Sequence, residues 1–317
     1  MSRRASVTSG PYAPPTPARE LTVVSADGAR LHAEVHGPED APPVVLSHGW
    51  TCSTAFWAAQ IRELATDHRV IVYDQRGHGR SPASPACTTQ ALADDLEAVL
   101  AATLARGEKA LIAGHSMGGM TIMAAATRPR FREHAAAALL CSTGSSRLVA
   151  EARVVPLRAG RVRTWITGRV LGSRAPLGPV TPVAMSVLKY ATMGGRSARH
   201  MVEACARIVH ACPRAVRHAW AGVLEALDLD HGVRELSVPT AVVHGTSDRL
   251  TPPVHARALV AALPHCVGLT ELPGVGHMTP IEAPGQVTGT IRELVTTYVT
   301  GVTPEHGSTP AQIKEGA

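Results

Sequence analysis

Between about residue 20 and residue 300, short apolar runs alternate with segments whose apolar residues recur at helical spacing. Leu21–Ser25 and Ala29–Val35 flank Asp27-Gly28, a dipeptide that favours a tight turn, and they predict an antiparallel pair. Pro43–Ser47, Val70–Tyr73, Ala110–Ala113 and Ala135–Leu140 predict further strands, with helices over Thr54–Ala65 and Leu92–Leu104. In the second helix Leu92, Leu96, Val99, Leu100 and Leu104 fall on one face. The alternation resumes with Thr240–Val243, a helix over Val254–Leu263, Val267–Leu272 and a helix over Gln286–Val299. Almost wholly apolar strands separated by helices call for a mostly parallel sheet, here of eight strands, with helices on both faces.

Residues 146–235 break this rhythm. Helical patterns over Val183–Ala191, Ser197–Cys212 and Ala215–Leu227 are separated by Pro and Gly, without strands between them. An insertion of this kind reads as a helical lid over one end of the sheet. The α/β core is then residues 20–145 and 236–300. Residues 1–19 and 301–317, rich in Pro, Gly, Ser and Thr, are expected to be mobile tails.

Charge sharpens the division. Within 146–235, 14 Lys and Arg face 6 Asp and Glu, so the net +6 of the whole chain is concentrated there. Arg147, Arg153, Arg158, Arg161, Arg163 and Arg169 lie among Val, Leu, Trp165 and Ile166. Two readings of that segment stay open: a helix packed on the core with its arginines in water, or a basic amphipathic face resting on an anionic membrane. Aromatic residues make up only 3% of the chain, and it carries no recognisable nucleic-acid-binding module, so no nucleic-acid partner is expected. The six cysteines show no metal-like spacing and are expected to be reduced thiols. Ser2-Arg3-Arg4 is followed by no apolar stretch, and a cytoplasmic protein is expected.

The candidate chemistry starts at Gly114-His115-Ser116-Met117-Gly118, placed after an apolar strand and before a helix that must stop ahead of Pro129. This is G-x-S-x-G, the sharp turn that lifts a serine hydroxyl above a sheet. Such a hydroxyl is a weak nucleophile that needs a base, itself oriented by an acid, in the chain order Ser, acid, His. Asp248 follows the strand ending at Val243, and His277 follows the last strand in Gly276-His277-Met278. Both stand past carboxyl ends of parallel strands, the edge where ligands bind in open α/β sheets. Asp248 also fits a second reading, as a turn or capping acid before Pro252. Negative charge developing on a substrate carbonyl requires two N–H donors, expected from the backbone of Met117 and of Trp50 in His48-Gly49-Trp50.

Taken with Asp74-Gln75-Arg76-Gly77-His78-Gly79-Arg80-Ser81, these motifs stand in the order in which they occur in the α/β-hydrolase fold family. Over residues 20–300, excepting the insertion, the chain resembles that family, in particular its lidded serine hydrolases. It is similar there to bacterial esterases, monoacylglycerol lipases and cofactor-free perhydrolases. The resemblance implies an eight-stranded α/β-hydrolase sheet and structural roles for Asp74, Arg76, His78 and His115. It also implies hydrolysis of a small-molecule carboxylic ester through an acyl-enzyme, with Ser116 as nucleophile, His277 as base and acid, and Asp248 as orienting acid. Neither metal nor organic cofactor is required. C–C bond hydrolysis, thioester hydrolysis and acyl transfer share the same triad, and a non-catalytic ligand-binding role on the same fold also stays open.

Overall fold

The computed structural model describes Gly10 and residues 12–301; most of the two expected tails lies outside the described residues. Eight strands form one sheet: β1 Arg19–Val24, β2 Arg30–His36, β3 Pro43–Ser47, β4 Arg69–Tyr73, β5 Ala110–His115, β6 Ala135–Cys141, β7 Thr240–Gly245 and β8 Cys266–Leu272. Their spatial order is β1-β2-β4-β3-β5-β6-β7-β8. β2 pairs antiparallel with both β1 and β4, and every other pairing is parallel.

The helices of the first half are α1 Ala58–Leu64, α2 Thr89–Thr103, α3 Met117–Ala125 and α4 Pro129–His134. Between β6 and β7 come α5 Leu148–Glu151, α6 Arg161–Leu171, α7 Pro182–Thr192, α8 Arg199–Ala211, α9 Arg214–Glu225 and α10 Asp230–Arg234. α11 Val254–Ala262, α12 Thr279–Glu282 and α13 Pro284–Leu294 complete the chain, and α13 runs into a wider π turn over Val295–Val299.

Alternation along the central strands divides the core. Val45, Ile71, Ile112, Ala138 and Val242 point into one cluster with α2, α3 and α11. Their neighbours Val44, Val72, Leu111, Leu139 and Val243 point into the other, with α1, α13 and α8. A strand buried on both faces cannot alternate apolar with polar, hence the unbroken apolar runs of the sequence. α2 begins at Thr88, whose hydroxyl accepts the N–H of Ala91 at 3.0 Å. That cap starts the helix three residues ahead of the first apolar repeat.

α4 has no counterpart in the sequence pattern, and α6 falls in the arginine-rich segment for which a helix packed on the core was one of the two open readings. The segment ahead of β1 is also seated: Tyr12 is buried, and its hydroxyl donates to the carbonyl of Ile281 at 3.0 Å. The six cysteines are free thiols. No helix among the described residues is long and apolar enough to cross a membrane.

The chain reverses its direction of travel across the sheet at β3, which has β4 on one side and β5 on the other. The loops leaving β3 and β5 therefore diverge side by side, and the crevice at such a switch point is where open α/β sheets bind ligands.

Candidate active site

The turn after β5 is strained. Ser116 has φ +52° and ψ −116°, a conformation a side chain rarely adopts, with its N–H bonded to Cys141 O at 2.9 Å. Its carbonyl accepts from Met120 N–H at 3.1 Å and from Thr143 Oγ1 at 2.8 Å, so the turn is held from both neighbours. The flanking glycines are a matter of space. A Cβ on Gly114 would lie 2.3 Å from Gly118 O, and one on Gly118 would lie 2.0 Å from Ser47 O. The helix start is thereby pressed onto the end of β3, with Ser116 at the head of α3.

The loop after β3 is equally close. A Cβ on Gly49 would meet His115 Nδ1 at 2.7 Å and Ser116 Cβ at 3.1 Å. Two buried histidines shape this loop. His48 Nε2 accepts Gln75 N–H at 3.0 Å while its Nδ1 donates to Gly49 O at 2.8 Å. His78 Nε2 accepts Thr51 N–H at 3.2 Å while its Nδ1 donates to Arg76 O at 3.2 Å. Each ring uses both nitrogens as only a neutral imidazole can, and burial lowers their pKa values to about 3 and about 4. The Trp50 indole N–H donates to Arg217 O in α9 at 3.1 Å. Its backbone N–H has no protein acceptor among the described residues, and Met117, as the first residue of α3, has an N–H beyond the reach of helical bonding.

Asp248 and His277 meet. Asp248 Oδ2 accepts His277 Nδ1–H at 2.8 Å, and Oδ1 accepts Leu250 and Thr251 N–H at 2.8 and 2.9 Å. Asp248 is thus both turn acid and partner of the imidazole. Burial alone would raise the pKa of this carboxyl, but the adjoining His277, His244 and the backbone donors outweigh it and hold the value below the usual range. Ser116 and His277 border one cavity of about 590 Å³, together with Trp50, Met120, Leu188 and Leu224. No hydrogen bond joins the Ser116 hydroxyl to His277 among the described residues. Such bonds are commonly long before a substrate is bound.

Further residues shape this site: His115 from within the serine motif, Glu282 and Thr251 from outside the motifs. His115 Nε2 donates to the carbonyl of His277 at 2.8 Å, and its ring lies 4.5 Å from that of Phe56. Glu282 accepts Gly276 and Met278 N–H, each at 3.1 Å, and also Gly194 N–H at 2.7 Å and the Ser197 hydroxyl at 2.5 Å. Thr251 Oγ1 donates to Asp248 Oδ2 at 2.8 Å. His115, inside the serine motif, was expected to be structural, and Thr251 stands three residues from an acid; the bonds from Glu282 to Gly194 and Ser197 reach residues no spacing rule connects.

Arg76 is buried and grips Asp95 through two nitrogens at 2.7 and 2.6 Å and Asp27 at 2.7 Å, knitting the loop after β4 to α2 and the first hairpin. Asp74 accepts the N–H groups of Thr54 and Arg80, both at 2.8 Å. Away from the cavity, Glu20, His32 and Glu34 bring ligand-type atoms within 4.8 Å of one another. Arg80 already supplies the positive charge there, bonding both Glu20 oxygens at 2.6 and 2.7 Å.

The comparisons agree with this architecture. The Alpha/beta hydrolase family profile matches residues 44–289, from β3 into α13. RutD of Variovorax paradoxus, a candidate carbamate hydrolase, is 31% identical over 250 residues, 78% of this chain and 89% of that one. The 3-oxoadipate enol-lactonase 1 of Acinetobacter baylyi is 35% identical over 103 residues, 32% of this chain and 38% of that one. Among solved structures, a thermophilic esterase from Thermogutta terrifontis superposes with a TM-score of 0.69 at 27% identity, covering 88% of this chain and 99% of that one. With the sheet order, the strained serine turn and a profile match spanning most of the chain, the protein belongs to the alpha/beta hydrolase family.

Proposed function

We propose that the protein is a serine hydrolase that cleaves a carboxylic ester through an acyl-enzyme. The bond from His277 Nδ1 to Asp248 Oδ2, at 2.8 Å and beside the cavity that holds Ser116, is the observation that carries this reading. With Nδ1–H committed to the carboxylate, Nε2 is the basic nitrogen. It takes the proton of Ser116 as Oγ bonds to the ester carbonyl carbon, and Asp248 stabilises the resulting imidazolium. The carbonyl oxygen, now negative, lies between the N–H groups of Met117 and Trp50. As the tetrahedral centre collapses, His277 returns the proton to the departing alcohol. Water, deprotonated by the same imidazole, then releases the acid and regenerates Ser116.

The size and lining of the cavity support an ester with a sizeable apolar group. A volume near 590 Å³ suits a molecule of many heavy atoms and would leave a simple carbamate loosely held. The segment 146–235 acts in this reading as a lid, since α6, α7 and α9 all contribute to the cavity wall. The names of the enol-lactonase and RutD relatives favour a second substrate class, lactones or carbamates, handled by the same steps.

A panel of p-nitrophenyl esters of graded acyl length, with lactones and carbamates, separates these readings on wild type beside Ser116→Ala. Turnover should be lost in the variant, and a fluorophosphonate probe should label wild type at Ser116 alone. Variant activity within about tenfold of wild type would overturn the assignment, because losing a triad member costs orders of magnitude.

A further inference from the structure

The described residues expose twelve large apolar side chains, and nine of them lie between Leu157 and Tyr190. Val162 and Trp165 on α6 are 68% and 65% exposed, and Val183 and Val187 on α7 are 73% and 63% exposed. Val183 and Val187 stand one turn apart, on the same face of α7. Met185 and Leu188, on the opposite face, pack against the core. α7 is apolar on both of these faces, and nothing among the described residues covers the outer one.

The charge of the same segment is one-sided. Residues 152–202 carry nine Lys and Arg and no Asp or Glu, whereas the rest of the chain carries 22 Lys and Arg against 25 Asp and Glu. Arg158 and Arg161 are exposed beside Val162. Trp165, Val170 and Leu177 are at once exposed and part of the cavity wall, so the cavity opens to the outside beside α6 and the connection that follows it.

We propose that this face docks on an anionic lipid bilayer, with the cavity mouth turned toward the lipid. Apolar side chains then enter the headgroup boundary while the arginines meet lipid phosphates, the combination by which amphipathic basic segments bind membranes. A nucleic acid or an acidic protein would satisfy the arginines and leave Val162, Val183 and Val187 in water. A second copy of the chain would bring two sets of like charges together. The bilayer alone satisfies both features. Docking does not depend on the proposed ester chemistry, so it is tested on the Ser116→Ala protein.

The experiment is vesicle co-sedimentation with pure phosphatidylcholine and with about one-third phosphatidylglycerol, at low salt and at roughly 0.5 M salt. Binding is expected to the anionic vesicles at low salt, at least about tenfold tighter than to neutral ones, and weakened at high salt. Two surface variants that do not line the cavity, Val183→Asp/Val187→Asp and Arg158→Glu/Arg161→Glu, should each lose binding by more than about fivefold. In the Ser116 background both should keep the wild-type melting temperature and the same turnover of a short soluble ester. No binding to anionic vesicles at low salt overturns the proposal. So does binding that the valine variant leaves intact, or equal retention on heparin by wild type and the valine variant without vesicle binding. A dimer in sedimentation velocity that the valine variant dissolves, with no vesicle binding, would assign the face to self-association instead.

Discussion

His115 and His277 are joined across 162 positions of sequence, the side-chain N–H of the first donating to the main-chain carbonyl of the second at 2.8 Å. The bond ties the residue ahead of Ser116 to the loop that carries the proposed base, so the two partners of one proton transfer share a support. The His115 ring lies 4.9 Å from the His277 imidazole and borders the cavity, but its hydrogen bond goes to the main chain, which makes it a positioning residue. Its Nδ1 is buried without a partner among the described residues, and burial holds its pKa well below the usual histidine range. His115→Leu removes that orphan along with the useful donor, so the two effects on stability partly offset. Expected is a loss of about 1 kcal/mol by urea unfolding, with a fall of at least about tenfold in kcat for the preferred ester and little change in KM. An unchanged kcat would sever His115 from the alignment of His277.

Glu282 performs the same service with a charge. Its carboxylate gathers the two peptide N–H groups on either side of His277, and it reaches Gly194 and Ser197 between α7 and α8. Hydrogen bonds to an ionised group are worth about 1.5–3 kcal/mol each, and buried donors left behind carry their own cost. Glu282→Gln is therefore not conservative. The amide keeps one acceptor oxygen and turns an NH2 toward N–H donors. Both Glu282→Gln and Glu282→Ala should lose at least about 3 kcal/mol in urea unfolding. A glutamine variant as stable as wild type would mean that the clamp does not need its charge.

Much of this was legible in the sequence. The central strands announce themselves because burial on both faces leaves little room for polar positions, whereas the edge strands β1 and β8 are largely exposed and show through their β-branched residues and flanking turns. Ser116, Asp248 and His277 stand out because each sits in a short turn following a strand. A helix was one reading of the segment that becomes α6, but its limits were not legible, since Thr164, Thr167 and Gly168 dilute its apolar face and arginines occupy much of the rest. α4 is only six residues long, too short for a helical repeat to register. The partners of these supports were hidden for another reason: a main-chain group making a hydrogen bond leaves no mark on residue type. His115, His48 and Glu282 gain their meaning only from main-chain groups that the fold brings to them.

Space at two glycines makes opposite predictions for one methyl group. At Gly118 the added carbon would stand 2.0 Å from Ser47 O, a backbone atom at the end of a central strand that cannot yield. At Gly222, in α9, nothing lies within 4 Å, and no positive φ is required there. Gly118→Ala should therefore fail to give soluble folded protein. Gly222→Ala should gain about 0.5–1 kcal/mol through the better helix propensity of alanine. Thermal melts of the two, expressed in parallel, provide the check; a folded Gly118→Ala protein would show that the elbow tolerates more room than the close approach implies.

Acid should destabilise this protein before most of its carboxylates are neutralised. Buried Asp74, its pKa raised to about 6 by burial, takes up a proton on folding below that pH and partly opposes the decline. Burial lowers the pKa values of His48, His78 and His255 to about 3, about 4 and about 4, against a value near 6.5 when unfolded. Below pH 6.5 the unfolded chain binds protons that the folded chain refuses, so stability declines as pH falls, until the folded pKa values are reached. By pH 5 each ring has withdrawn up to about 2 kcal/mol, and three together about 6 kcal/mol, of which the protonation of Asp74 returns about 1 kcal/mol; the remainder still rivals the whole stability of many domains. Glu34 adds a later decline: burial would raise its pKa, but His32 and His36 lower it to about 2, so its contribution fades between pH 4.5 and 2. Urea unfolding at pH 8, 7, 6 and 5 should give a plateau at the upper end and a midpoint that drops steeply from pH 6 to 5. His78→Gln keeps an amide oxygen to accept Thr51 N–H and cannot be protonated. It should flatten that slope by about one proton, at some cost in stability at pH 8. A profile equally steep in the variant would remove His78 from the set of buried neutral rings, and with it the account of how the loop beside Trp50 is held.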